Sequence, residues 1–339
     1  MNPWERLKPF NKPDIIVEEA LSKASRESRK ISFRGRLETV RRKERVRILV
    51  VYRVVTRNLR RAYKIVNAYW KANDFYRDLV NIYFSNDELE VVRRELRNMI
   101  SLADMLRDEY LSRLSNADSI DEMGRVRREC LGRLVSIVKR KKAILNRVME
   151  LWKYAHRLPS IDLGEPSVVV AGPPNVGKST LVNSLSTAEV RVASYPFTTK
   201  DIHVGHIITD YYKIQIIDTP GLLDRPLSER NEVEMKAIVA LKHLSDIIIY
   251  MFDPSPFRFY NLEEQLSIYN EIKSSFKDAY VIPVVNKIDV EEIHIGNDVV
   301  DGEIIRLSLK EGVGLNLLRD RILSISDEVF SHKIRSGAK

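Results

Sequence analysis

At 339 residues the chain is long enough for two domains that each bury a core, and its single cysteine, Cys130, excludes an intrachain disulfide framework and reads as a buried or idle thiol in a reducing cytoplasm. The run IIIYMF at residues 247–252 is too short to cross a bilayer and the opening MNPWERLKPF lacks the apolar core of a signal peptide, so neither export nor a membrane partner is expected. The net charge of +9 divides into +16 over residues 1–160 and −7 over residues 161–339, which points the first half toward a polyanion, RNA foremost.

From residue 14 to about 158 there is almost no turn punctuation, a pattern of long helices. Asp14, after Pro13, can cap a first helix through about residue 30. A second is predicted over about 37–71, with Val46, Leu49, Val50, Val54, Leu59, Tyr63 and Val66 on roughly helical spacing. Shorter helices are predicted near 74–83 and 87–114. Asp118 is expected to cap a last one, where Leu131, Leu134, Val138, Leu145, Val148 and Trp152 recur at three, four or seven. Short connections between amphipathic helices predict an all-α antiparallel bundle over residues 1–160.

After the linker LPSIDLGEPS, apolar β-branched runs alternate with helical stretches: SVVVAG, IHVGHIIT, YKIQIID, DIIIYMF, AYVIPVV and EIIRLS, with helices from Lys178, over about 232–244 and 261–276, and a last one to about Val329. Such alternation predicts an α/β domain over residues 161–330, an open and mainly parallel sheet with helices on both faces and its ligand at the carboxyl ends of the strands. Residues 331–339 are expected to fray.

Five loops in this half carry chemistry. GPPNVGKS at 172–179 fits the phosphate-loop pattern and lies between a strand and a helix, so the backbone of Gly172, Pro173, Pro174, Asn175, Val176, Gly177 and Thr180 can cradle phosphates, Lys178 can reach the β and γ oxygens and Ser179 can hold Mg²⁺. In DTPGLLD, Asp218 ends a strand where a carboxylate can meet the metal through water, and Gly221 leaves an N–H free to approach a γ-phosphate. In NKID, Asp289 can accept from both guanine donors, an arrangement adenine cannot match. Asn286 can tie this strand end to the phosphate loop, and the Lys287 stem can cover one face of the base. Ser308, Leu309 and Lys310, reading SLK after a strand, would offer a backbone N–H to the guanine oxygen. In SYPFTTKD, Thr199, with Thr198 in reserve, would bring a hydroxyl to Mg²⁺ from a loop released on hydrolysis.

GPPNVGKS, SYPFTTK, DTPGLLD and NKID, in this order, resemble the Obg class of translation-factor-related GTPases. The run RPLSERNEVEMKAIVALKHLSDIIIYMFDPS, with EEQ at 263–265, is similar to the Nog1 branch, the nucleolar GTP-binding protein 1 family, and a basic helical domain ahead of the GTPase domain matches it too. The resemblance implies a GTPase of large-ribosomal-subunit assembly whose partners are GTP and GDP, ribosomal RNA and the subunit precursor. Eukaryotic members continue into a long C-terminal extension, so this chain reads as a compact, archaeal-type member, expected as a monomer.

The residue after Gly221 is Leu222, where many GTPases carry a glutamine that orients the attacking water. In relatives with an apolar residue here, an asparagine early in the phosphate loop helps to hold a potassium ion; Asn175 matches that position, its alternative role being to shape the loop. Slow intrinsic turnover is expected, with Lys178, Thr199, Gly221 and Asn175 as the catalytic set. RNA contact is expected from Arg41, Arg42, Lys43 and Arg45, from Arg57, Arg60 and Arg61, from Arg125, Arg127 and Arg128, and from Lys139, Arg140, Lys141 and Lys142, each cluster having a solvated helix face as its alternative. Two other functions fit less of the sequence: a GTP-dependent RNA-binding scaffold with negligible hydrolysis, and a protein-targeting GTPase, against which Pro220 and Asn286 both argue.

Overall fold

The computed structural model describes residues 1–193, 202–219, 221–296, 300 and 302–335. They form two compact units, one of Pro3–Ala72 with Tyr83–His156, the other of Met1–Asn2, Asn73–Ile82 and Arg157–Lys339.

The first unit is all helix. Its central element is α2 (Arg36–Asn67), whose Ile48, Val51, Val55, Leu59, Ala62 and Val66 are fully buried at steps of three and four, a stripe that winds around a 3.6-residue turn. Against it pack α1 (Pro13–Arg29), α4 (Asn86–Ser115), α5 (Ile120–Arg140) and α6 (Lys142–Ala155). The sequence differs from the structure at several ends. α2 stops at Asn67, and a 3-10 turn, Tyr69–Lys71, takes the remaining residues. The cap of α5 is Ser119, whose hydroxyl accepts from the Glu122 N–H at 3.2 Å, and not Asp118. The expected single last helix is two, interrupted at Lys141 (φ −107°, ψ 24°). Cys130 faces the core, and burial pushes its thiol up to about 12, leaving it protonated and unreactive at neutral pH.

Among the described residues, the second unit is built on a seven-stranded sheet. Its strands are β1 (Ser167–Ala171), β2 (Arg191–Ala193), β3 (Ile202–Ile208), β4 (Lys213–Asp218), β5 (Ile247–Phe252), β6 (Tyr280–Val285) and β7 (Ile305–Arg306), in spatial order β2-β3-β4-β1-β5-β6-β7. β1, β4, β5, β6 and β7 are mutually parallel, and β3 pairs antiparallel with both β4 and β2. The central strands are buried on both faces, as continuous Val and Ile runs require. The helices of the sheet are α7 (Lys178–Leu185), α8 (Glu232–Lys242), α9 (Leu262–Ser275) and α10 (Leu315–Arg335), the last continuing past the limit expected at Val329. Capping boxes at Asn231 with Glu234 and at Asn261 with Glu264 fix the starts of α8 and α9.

One helix joins this unit from the other half of the sequence. α3 (Asp74–Asn81) packs on α8, with Phe75, Tyr76, Leu79 and Val80 fully buried. The Tyr76 hydroxyl donates to the Pro159 carbonyl at 2.8 Å and accepts from the Ile161 N–H at 3.0 Å, and Asp78 meets His243 at 2.9 Å.

Candidate guanine-nucleotide site

Register puts four loops at one edge. Val170 of β1 lies opposite Asp218 of β4, Phe252 of β5 opposite Val285 of β6, and Val285 opposite Arg306 of β7. The phosphate loop, the DTPG turn, the NKID loop and the SLK loop therefore leave the carboxyl ends of β1, β4, β6 and β7 at one edge of the parallel part of the sheet, the place where open α/β sheets bind ligands.

The phosphate loop is shaped by backbone positions that few residues tolerate. Gly172 has φ 134°, and a Cβ there would stand 2.4 Å from the Met251 carbonyl oxygen; Gly177 has φ 105°, and a Cβ would stand 2.7 Å from Asn286 Nδ2. Asn175 is left-handed at φ 62°, a conformation asparagine accepts more readily than most residues, and its side chain is exposed. Lys178 is buried at the start of α7, its ammonium donating to the Gly172 and Pro173 carbonyls at 2.8 Å each, while the Val176 side chain anchors the loop in the core.

Beside it, the Ser179 hydroxyl donates to Asp218 Oδ2. Asp218 is fully buried, and its Oδ1 has no partner among the described residues, an orphaned anionic oxygen of the kind a hard cation satisfies. Ser179 and Asp218 thus fit Mg²⁺. His203 Nδ1 lies 3.7 Å from Asp218 Oδ2, a neighbour not expected from spacing along the chain. Thr198, Thr199 and Pro220 lie outside the described residues.

Gly221 (φ 83°) donates its N–H to Asp224 Oδ2 at 3.1 Å. Asp224 Oδ1 accepts from Arg230 Nη2 at 2.8 Å, and Arg230 Nη1 donates to the Gly221 carbonyl at 2.6 Å, closing a ring around a guanidinium that is almost wholly buried. The Leu222 side chain is fully buried, so the position of the expected glutamine faces the core and not the phosphates.

The base-binding loops are tied together by one side chain. Asn286 Nδ2 donates to the Val176 carbonyl at 2.7 Å, and its Oδ1 accepts from the Leu309 N–H at 3.2 Å, so one buried amide links the phosphate loop, NKID and SLK. The Leu309 N–H is thereby committed within the protein. The Ser308 hydroxyl donates to Asp289 Oδ1 at 2.7 Å; this bond first, then a backbone N–H and the ammonium groups of Lys310 and Lys287, hold the Asp289 carboxyl below the ordinary aspartate range. Lys287, at φ 63°, points its ammonium at Asp253 Oδ2, 2.5 Å away.

In the helical unit the predicted basic residues separate into two sets. Arg41 donates to the Ala117 carbonyl at 2.9 Å, Arg42 pairs with Glu38 at 2.9 Å, Arg57 with Glu19 at 2.6 Å, Arg60 with Asp104 at 3.7 Å, Arg127 with Glu44 at 3.4 Å, Lys141 with Glu95 at 2.8 Å and Lys142 with Asp14 at 2.8 Å, while Arg61 reaches the Pro9 carbonyl at 3.4 Å. Lys43, Arg45, Arg125, Arg128, Lys139 and Arg140 have no ion pair among the described residues, and all but the half-buried Lys43 are exposed.

Comparison with known proteins accounts for both units. Residues 4–162 match the family described as the NOG1 N-terminal helical domain, and residues 167–287 match 50S ribosome-binding GTPase. The uncharacterized protein MJ1408 of Methanocaldococcus jannaschii is 36% identical over 293 residues, 85% of this chain and 81% of that protein. The chain belongs to the NOG1 family. Nucleolar GTP-binding protein 1 of Drosophila melanogaster is 36% identical over 230 residues, 67% of this chain, and this NOG1-family chain spans about a third (35%) of that longer relative. A crystal structure assigned to nucleolar GTP-binding protein 1 of Plasmodium falciparum aligns over 53% of this chain and 96% of its own, at 33% identity and a TM-score of 0.45. As the family implies, the chain carries a helical domain followed by a P-loop GTPase domain with a mostly parallel sheet. Among the described residues, no helix is long and apolar enough to cross a membrane.

Proposed function

We propose that this chain is a slow, Mg²⁺-dependent GTPase switch whose basic helical unit binds ribosomal RNA of a large-subunit precursor. The observation that carries the nucleotide reading is Asn286, which holds the phosphate loop and both base loops in one register while the Ser308 hydroxyl donates to Asp289 and orients it. A fixed carboxylate accepts from the two guanine donors and leaves buried polar groups unpaired against adenine. Phosphates fit the glycine-shaped loop and the amino end of α7, with Lys178 exchanging its loop carbonyls for β and γ oxygens. Ser179 and Asp218 would hold Mg²⁺, which would supply charge neutralisation on those oxygens. The switch step belongs to Gly221: its N–H reaches a γ-phosphate only by leaving Asp224, so the ring through Arg230 opens in the triphosphate state.

With Leu222 buried, no side chain at that position orients water, which supports slow intrinsic turnover that a ribosomal partner accelerates. Asn175, exposed at the loop's outer turn, offers an amide oxygen to K⁺ as a source of transition-state charge stabilisation. Equal single-turnover rates in KCl and NaCl at matched ionic strength would remove that ion. The RNA reading is supported by the unpaired cations of α2 and α5, by the charge of +16 over residues 1–160 and by the family description that names the ribosome. The deciding test of the site is Asp289→Asn, which exchanges two acceptors for one donor and one acceptor. The variant is expected to prefer xanthine over guanine nucleotides, and an unaltered affinity for GDP would refute the assignment.

A further inference from the structure

We infer that Asp253, a residue of the loop after β5 with no part in the expected site, is a positioning residue for guanine: it anchors the ammonium of Lys287 so that the lysine stem is laid in place as a wall of the base pocket before nucleotide arrives. The inference rests on the guanine-site reading and deepens it.

Asp253 is 1% exposed, and every polar group it carries is assigned. Its N–H donates to Gln265 Oε1 at 2.8 Å and its carbonyl accepts from Gln265 Nε2 at 3.0 Å, so the fully buried amide of α9 clamps the Asp253 backbone from both sides. The same Nε2 reaches the Tyr260 carbonyl at 2.9 Å, which closes the loop. Of the carboxylate, Oδ1 accepts from the Ser255 N–H at 3.0 Å, and Oδ2 is left for Lys287 Nζ at 2.5 Å. A loop this constrained gives the carboxylate one position.

The consequence falls on Lys287. Its backbone is left-handed at φ 63°, its side chain keeps about a quarter of its surface exposed (28%), and its ammonium ends at Asp253. A free lysine would have to be ordered each time a base slid beneath it, and that ordering of a long side chain opposes binding. A buried carboxylate paired with the ammonium removes the cost in advance, and a pair with one buried partner is screened less by solvent and salt than a surface pair. Gln265 is the Q of the EEQ run that carries part of the family resemblance, which gives this residue a physical reason at the site.

The test is a double-mutant cycle on release of a fluorescent GDP from the full chain. Asp253→Asn keeps the Ser255 contact and removes the charge; Lys287→Met keeps the stem and removes the ammonium. Each single variant is expected to release GDP roughly 3- to 10-fold faster than wild type, the range set by immobilising one long side chain, and the double variant no faster than either single. If Asp253→Asn does not fold, Lys287→Met carries the same expectation alone, because it breaks the same anchor at a partly exposed position. Release at the wild-type rate in either variant, or a double variant that multiplies the two single effects, overturns the role of Asp253. A wild-type chain that holds no GDP overturns the guanine-site reading itself.

Discussion

At the scale of single residues, the chemistry of the site follows from where two side chains go. Leu222 is in the core, so replacing it with glutamine does not recreate a water-orienting amide. Leu222→Gln is expected to leave hydrolysis no faster and to destabilise the domain by about 1–3 kcal/mol for an amide buried without partners; a faster single-turnover rate would contradict this placement. Ser308 holds Asp289 below the ordinary aspartate range, so the contribution of Asp289 to GDP affinity is complete above that ordinary value and is lost only as pH falls through the depressed one. Ser308→Ala raises the Asp289 pKa toward the ordinary aspartate value of about 3.9 and so moves the acid loss of GDP binding to higher pH, measured as a titration of affinity from neutrality to about pH 3; coincident curves for the variant and wild type would remove the serine's role. The glycines, Lys178 and Asp289 were legible in the sequence because their spacing encodes them. Asp253, Ser308's hydroxyl bond, His203 and the Asp224–Arg230 ring were not, since each depends on which strand ends become neighbours, and spacing along the chain is silent on that.

At the scale of elements, apolar periodicity located the helices and the central strands, and it failed at their ends. α2 reads as helix through residue 71 because nothing in its composition stops it, yet the chain turns into a 3-10 segment that packs Tyr69. The break at Lys141 lies in the run KRKK, which contains neither glycine nor proline to announce it. Strand β2 has three residues, too few for alternation to register. α3 was recognised as a helix, but its apolar face does not say which core it joins; only the fold places it on α8. Its allegiance has a measurable consequence. Tyr76→Ala is expected to cost about 3–5 kcal/mol, seen as a lowered melting transition, and the transition it lowers is the one that GDP raises, although residue 76 lies far from the phosphate loop in sequence. A drop confined to a GDP-insensitive transition would place α3 with the other unit.

At the scale of the whole molecule, the sequence divides its charge between a basic half and an acidic half, and the fold adds which basic groups are at liberty. Formal clusters overstate the number of cations available to RNA, because Arg57, Arg60, Arg127, Lys141 and Lys142 are engaged with carboxylates of the same unit. Neutralising Arg45, Arg125 and Arg128 together is expected to weaken binding to ribosomal RNA and to flatten its salt dependence by about 2 in slope if each touches a phosphate. Neutralising Arg57 and Arg60 should change both far less, and the reverse order would return the unpaired set to a solvated surface. Every further step, from the switch at Gly221 to control of RNA docking, requires that the second unit grip a guanine nucleotide with Mg²⁺. Calorimetry of the full chain with GDP and with ADP, in the presence of Mg²⁺, measures this directly: GDP is expected to bind at least about 10⁴-fold more tightly than ADP, and equal affinity for the two, or no heat with GDP, would contradict the account.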